Sequence, residues 1–204
     1  MDLSKAFLFF FITLGPIKLI APFANLTASA DPSLCRAIAW RTFWLSLLIV
    51  VVLALVANRQ MTTWDISQDA VAITGGLVLL LWGLDNIRGL RHPVKPPEPP
   101  PDPTLSLATF PLTLPDTVTP AGIAAIIYFA VSAPDWPGVF LLILLLGAIM
   151  ALNLLAMFTA KKIMTIAGGA VTLAVVGSVL FLFQAALAVE VLIRVFTRMG
   201  VFKV

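Results

Sequence analysis

The feature that most constrains this chain is the recurrence of long apolar stretches almost empty of charge. Val139 to Ala160 contains no charged side chain, and Ala37 to Ala57 contains only Arg41. A soluble domain draws about a quarter of its residues from the charged types. Here 11% are charged and 60% hydrophobic, and the mean hydropathy is +1.05. No polar surface can be assembled from such a chain, so soluble enzymes, nucleic-acid binders and disordered proteins are excluded. Lipid is its solvent. At about 20 residues per helical crossing, the 204 residues hold five or six spans with room for loops. The formal charge of +3 is then a topology signal, since no basic stripe interleaved with aromatics suggests a nucleic-acid partner. A single cysteine, Cys35, excludes an internal disulfide.

The sequence reads as an all-α membrane protein with six transmembrane helices. The first span runs from Leu3 to Thr27 and is broken at Gly15-Pro16 and again at Pro22. The second, Ala37 to Ala57, is continuous, and Arg41 near its end can snorkel. The third is Ala70 to Leu90. The fourth, Leu105 to Val131, is broken by Pro111, Pro115 and Pro120. The fifth, Val139 to Ala160, is continuous, and the sixth runs from about Ile166 to Phe196. The first span has features of a cleaved signal, with Lys5, an apolar run and Ala28-Ser29-Ala30. Pro16 and Lys18 interrupt that run, which favours an uncleaved span.

The chain divides into a first three-helix unit (1–92), a proline-rich linker (93–104) and a second three-helix unit (105–204). Seven prolines in the eleven residues from Pro93 to Pro103 permit neither helix nor central strand and predict a polyproline II spacer. A docking site for a proline-binding domain is the alternative. The two units resemble each other: a proline-broken span, a continuous span, then a span opening with Gly75-Gly76 in one and Gly168-Gly169 in the other. Three crossings per unit is an odd number, so the second enters the membrane inverted. Two inverted three-helix repeats with helices one and four broken are the architecture of secondary transporters, whose sites lie where broken helices meet.

A break frees backbone N–H and C=O groups, each costing several kcal/mol in hydrocarbon unless something satisfies it. The candidate substrate-binding residues therefore cluster at the breaks: Thr13, Gly15, Pro16, Lys18 and Asn25 at the first, and Thr113, Asp116, Thr117, Thr119 and Pro120 at the second. The helix starts after Pro16 and Pro120 suit an anionic group such as a carboxylate. Each threonine taken alone is better explained by a bond back to its own helix, while as a group at two breaks they favour a lined site. Lys18 and Asp116 are opposite charges beside equivalent breaks. Either they pair across the two units, or Lys18 snorkels and Asp116 caps a half-helix. Asp116 is also the proton-carrier candidate. Asn153 and Gln184 read as interhelical hydrogen-bonding residues, and Asp85 with Arg88 as an interfacial pair. Nucleophile, zincin, P-loop and dinucleotide signatures are absent, which argues against an enzyme. No metal site and no cofactor are expected.

Two segments are distinctive: Gly15-Pro16-Ile17-Lys18-Leu19-Ile20-Ala21-Pro22-Phe23 through Leu26-Thr27, and Pro111-Leu112-Thr113-Leu114-Pro115-Asp116-Thr117-Val118-Thr119-Pro120-Ala121-Gly122-Ile123. With a weaker match at Thr74 to Leu80, they resemble the MarC family of bacterial inner-membrane proteins, which includes the neutral amino acid transporters called SnatA. Departures fall at the breaks. Gly15 stands where an Asp or Asn is common, Lys18 replaces a Gly or Asn, Asp116 an apolar residue, and Thr119 a glycine. The resemblance implies a multi-pass protein of the bacterial inner membrane that moves a small neutral amino acid, with protons as coupling ion.

The expected function is a secondary transporter or exporter of a small zwitterionic metabolite such as a neutral amino acid. A non-transporting assembly or regulatory subunit is the alternative. The partners are the small-molecule substrate, protons and the lipid bilayer; a homo-oligomer is compatible with the sequence. With six spans, five basic residues (Lys5, Arg59, Arg194, Arg198, Lys203) lie on the side of the termini. Seven (Arg36, Arg41, Arg88, Arg91, Lys95, Lys161, Lys162) lie on the linker side. The excess places the linker in the cytoplasm.

Overall fold

A computed structural model describes residues 3–89, 103–133, 135–166 and 168–201. The helices are α1 (Leu3–Leu14), α2 (Ile17–Leu26), α3 (Pro32–Thr63), α4 (Gln68–Gly89), α5 (Pro120–Val131), α6 (Trp136–Thr165) and α7 (Gly169–Arg198). A 3-10 turn, Leu105–Ala108, and a π-helical segment, Leu112–Thr117, precede α5. No strand occurs among the described residues. Most of the linker, including Pro96 to Pro101, lies outside them.

Among the described residues five segments are long and apolar enough to cross a membrane: Ser4–Leu26, Pro32–Ala57, Gln68–Arg88, Trp136–Thr165 and Gly169–Arg198. The sixth expected span is a bent pair, Leu105–Thr117 and Pro120–Val131, meeting at 63°. Proline chemistry accounts for the bend. Leu114, the residue before Pro115, is forced out of helical geometry (φ −127°, ψ 125°) by the following ring. Both Phe110–Pro111 and Leu114–Pro115 are cis. In the first span, α1 stops at Leu14 because Pro16 has no N–H to continue the ladder. Pro22 by contrast lies inside α2.

α3 packs on α6 and α4 on α7; α2 lies against α6, and α5 lies against α3 and α4. One buried cluster joins α1, α5 and the middles of α3 and α6 around Phe10, Leu14, Val50, Ile126 and Leu146. A second joins α2, the 3-10 turn and the ends of α3 and α6 around Leu19, Phe23, Ile38, Leu112 and Met157. The outer faces remain apolar and exposed, as at Leu48, Leu81, Leu144, Val175 and Leu182, which suits contact with lipid chains. α7 buries only a narrow stripe, Gln184, Ala185, Ala188 and Val195.

The two Gly-Gly pairs, expected to be equivalent, do different work. Gly75 and Gly76 lie inside α4, where they admit close packing; a Cβ on Gly76 would stand 2.9 Å from Leu192 of α7. Gly168 has a left-handed backbone (φ 79°) in the turn that separates α6 from α7.

Candidate functional site

At the first break, the ladder bonds lost to Pro16 leave the last carbonyls of α1 without partners from their own helix. Side chains supply them. The Lys18 ammonium donates to the Thr13 carbonyl at 2.8 Å, and the Thr119 hydroxyl donates to the same oxygen at 3.1 Å. The Asn153 amide donates to the Leu14 carbonyl at 2.8 Å. Thr119 and Asn153 come from the other half of the chain, from the start of α5 and the middle of α6. Two chemically opposite helix ends thus meet inside the bundle, the carbonyl end of α1 and the amide end of α5.

Thr119 has a second task. Its backbone is extended (φ −76°, ψ 154°), and its hydroxyl accepts from Gly122 N at 3.0 Å, capping α5, with Pro120 in the first helical turn. Asp116, read from the sequence as a possible half-helix cap, is not the cap. Gly122 lets α5 approach α1: a Cβ there would lie 2.0 Å from a Leu14 methyl. Gly15 is equally constrained, since a Cβ would fall 1.8 Å from the Phe11 carbonyl oxygen.

The other expected residues divide. Thr13 is buried, and its hydroxyl bonds back to Phe9 O at 2.9 Å, so its carbonyl is what serves the junction. Thr117 and Thr113 are buried and bond back to Leu112 O (2.7 Å) and Ala108 O (2.5 Å). All three hydroxyls follow the local reading of threonine in membrane helices. Pro16 sits at the start of α2. Asn25 is exposed near the end of α2, away from the junction.

No ion pair joins Lys18 to Asp116. Besides its bond to Thr13, the Lys18 ammonium lies 5.9 Å from the centre of the Phe181 ring on α7. Asp116 is half-buried on the π-helical segment, and no hydrogen bond to its carboxylate is seen among the described residues. Asp85 and Arg88 do not pair either. The ion pairs seen include Arg194–Glu190 (2.6 Å), and Arg198–Asp69 (3.0 Å), which ties α7 to α4.

Asn153 makes the interhelical hydrogen bond expected of it, and the structure adds that its acceptor is the Leu14 carbonyl at the junction. It is 2% exposed, and its Oδ1 has no partner, leaving a buried acceptor beside the break. The available signal was a lone amide in the uncharged stretch Val139 to Ala160. A cavity of about 280 Å³ opens between α1, α5 and α7. Lys5, Ser132, Glu190 and Arg194 line it at one end of the bundle, and it reaches Phe9, one helical turn from Thr13. Among the described residues no three His, Cys, Asp or Glu side chains gather where they could hold a metal.

In comparison with known families, a family described as MarC family integral membrane protein fits residues 2–199. Comparison with curated proteins and with solved structures gives no match.

Proposed function

The chain belongs to the MarC family of integral membrane proteins, and from that premise we propose that it is a secondary transporter of a small zwitterionic solute such as a neutral amino acid. The observation that carries this reading is the bond from Thr119 to the Thr13 carbonyl. It holds the amide end of one helix against the carbonyl end of another. A zwitterion has a carboxylate suited to the first and an ammonium suited to the second. Substrate entering through the cavity beside Phe9 would exchange partners with Thr119, Lys18 and Asn153. Asp116 supplies the carboxylate for proton coupling.

In this reading the two halves are inverted repeats. The packing supports it: α2 against α6 corresponds to α5 against α3 when the halves are exchanged, while α3–α6 and α4–α7 exchange into themselves. The bacterial inner membrane is the proposed location. Purified protein reconstituted into liposomes and offered labelled neutral amino acids, with and without a pH gradient, tests the proposal. Uptake that saturates with substrate and falls in Thr119→Val is expected. Correctly folded protein that moves none of them would favour the assembly or regulatory role instead.

A further inference from the structure

At the end of the bundle where α3 begins and α6 finishes, a second cavity of about 430 Å³ is walled by Phe23, Met157 and Phe158 and rimmed by Arg36 and Lys161. We propose that it binds the headgroup of an anionic phospholipid. This is independent of any transported solute.

Charge selects the ligand class. Both charged lining residues are cations, and no carboxylate lines the cavity. Among the described residues Lys161 donates to carbonyls of the α2–α3 turn, Ala30 O at 3.0 Å and Ala28 O at 3.5 Å, and meets no carboxylate, so its charge is oriented but not neutralised there. Arg36 is exposed, with no acidic partner among the described residues. Asp31, the acid closest in sequence, is exposed and outside the lining. Two cations flanking a pocket of this size fit a phosphate diester.

Depth selects a lipid over a free anion. One helical turn inward from Arg36 on α3 stands Trp40, 46% exposed, whose ring meets Phe158 at 6.1 Å between centroids. Trp44 follows a turn deeper, 60% exposed. Basic residues at the rim, tryptophan below them and an apolar outer face beyond match the order of phosphate, glycerol and acyl chain. The cavity also lies at the end carrying the larger share of Lys and Arg, the end assigned to the leaflet richer in anionic lipid.

The test uses the full-length protein in neutral detergent, with thermal unfolding followed against added phosphatidylglycerol, phosphatidylcholine or inorganic phosphate. Phosphatidylglycerol should raise the unfolding temperature, and the other two should leave it unchanged. Arg36→Gln should raise the half-saturating phosphatidylglycerol concentration about fivefold. Lys162→Gln, an exposed cation outside the cavity, should not. Because no intramolecular bond of Arg36 is seen, that variant keeps the proposal testable even if Lys161→Gln fails to fold. An equal shift with phosphatidylcholine, a shift with phosphate alone, or equal losses in Arg36→Gln and Lys162→Gln would each overturn it.

Discussion

Thr119 and Thr13 are separated by 106 positions in the chain, yet the hydroxyl of one lies 3.1 Å from the carbonyl oxygen of the other. The same hydroxyl accepts from Gly122 N, so one side chain both caps α5 and tethers it to the broken end of α1. Thr119→Val keeps the shape and removes both bonds. Loss of an N-cap alone costs about 1 kcal/mol, and the Lys18 ammonium still reaches the Thr13 oxygen, so a total loss of about 1–2 kcal/mol is expected. Thr119→Ser should retain most of the stability. Thermal unfolding in detergent measures both, and equal stability of Val and Ser variants would remove the tether.

Much of the fold was legible because the bilayer leaves a chain few choices. Apolar stretches such as Val139 to Ala160 must be helices, and Pro16, Pro111, Pro115 and Pro120 must interrupt theirs. The sequence also indicates which carbonyls a proline orphans, because the rule is local. It does not indicate which donor arrives. Asn153 reaches Leu14 across 139 positions, and no periodicity encodes that meeting. For Lys18 the sequence offers either a pairing with Asp116 or a snorkelling position, whereas the structure shows an orphaned carbonyl taking the ammonium. The Gly-Gly pairs misled for a related reason: the same dipeptide serves close packing in α4 and a left-handed turn before α7.

Asn153 offers a test of polarity at the junction. Its amide must present the NH₂ to the Leu14 carbonyl, leaving Oδ1 unpaired. Asn153→Leu abandons that carbonyl at about 1–3 kcal/mol but also removes the unpaired oxygen, which offsets part of the loss. Asn153→Asp keeps an oxygen and places it against another oxygen. Asp should therefore be the more destabilising replacement at neutral pH, read from unfolding temperature. Asp tolerated better than Leu would mean that Asn153 does not donate there.

Gly122 and Leu14 should behave as one packing unit. Gly122→Ala drives a methyl to 2.0 Å from a Leu14 methyl that is itself buried, an overpacking expected to cost about 1–3 kcal/mol. Leu14→Ala in the same chain makes room, so the double variant should be more stable than the two losses added. Gly15→Ala meets the backbone oxygen of Phe11 instead, and no side-chain truncation should rescue it. Strict additivity for Gly122 and Leu14 would separate the helices at that point.

Lys18 and Asp116 should prove independent in stability and distinct in function. Since the ammonium donates to Thr13, Lys18→Ala and Asp116→Asn should lose or gain stability additively, within about 0.5 kcal/mol. Recovery in the double variant would restore the ion pair. Lys18→Ala should destabilise, because it takes a charge-assisted donor from a freed carbonyl, an interaction of about 1.5–3 kcal/mol. Asp116→Asn should not destabilise, since among the described residues no group is seen bonded to its carboxylate and a half-buried charge within a span is costly. The proposed transporter gives this carboxylate a use. That use is carrying a proton, so Asp116→Asn should fold, exchange labelled substrate across the membrane and fail to accumulate it under a pH gradient. Accumulation at the parent rate would take Asp116 out of the coupling and leave the gradient to act elsewhere.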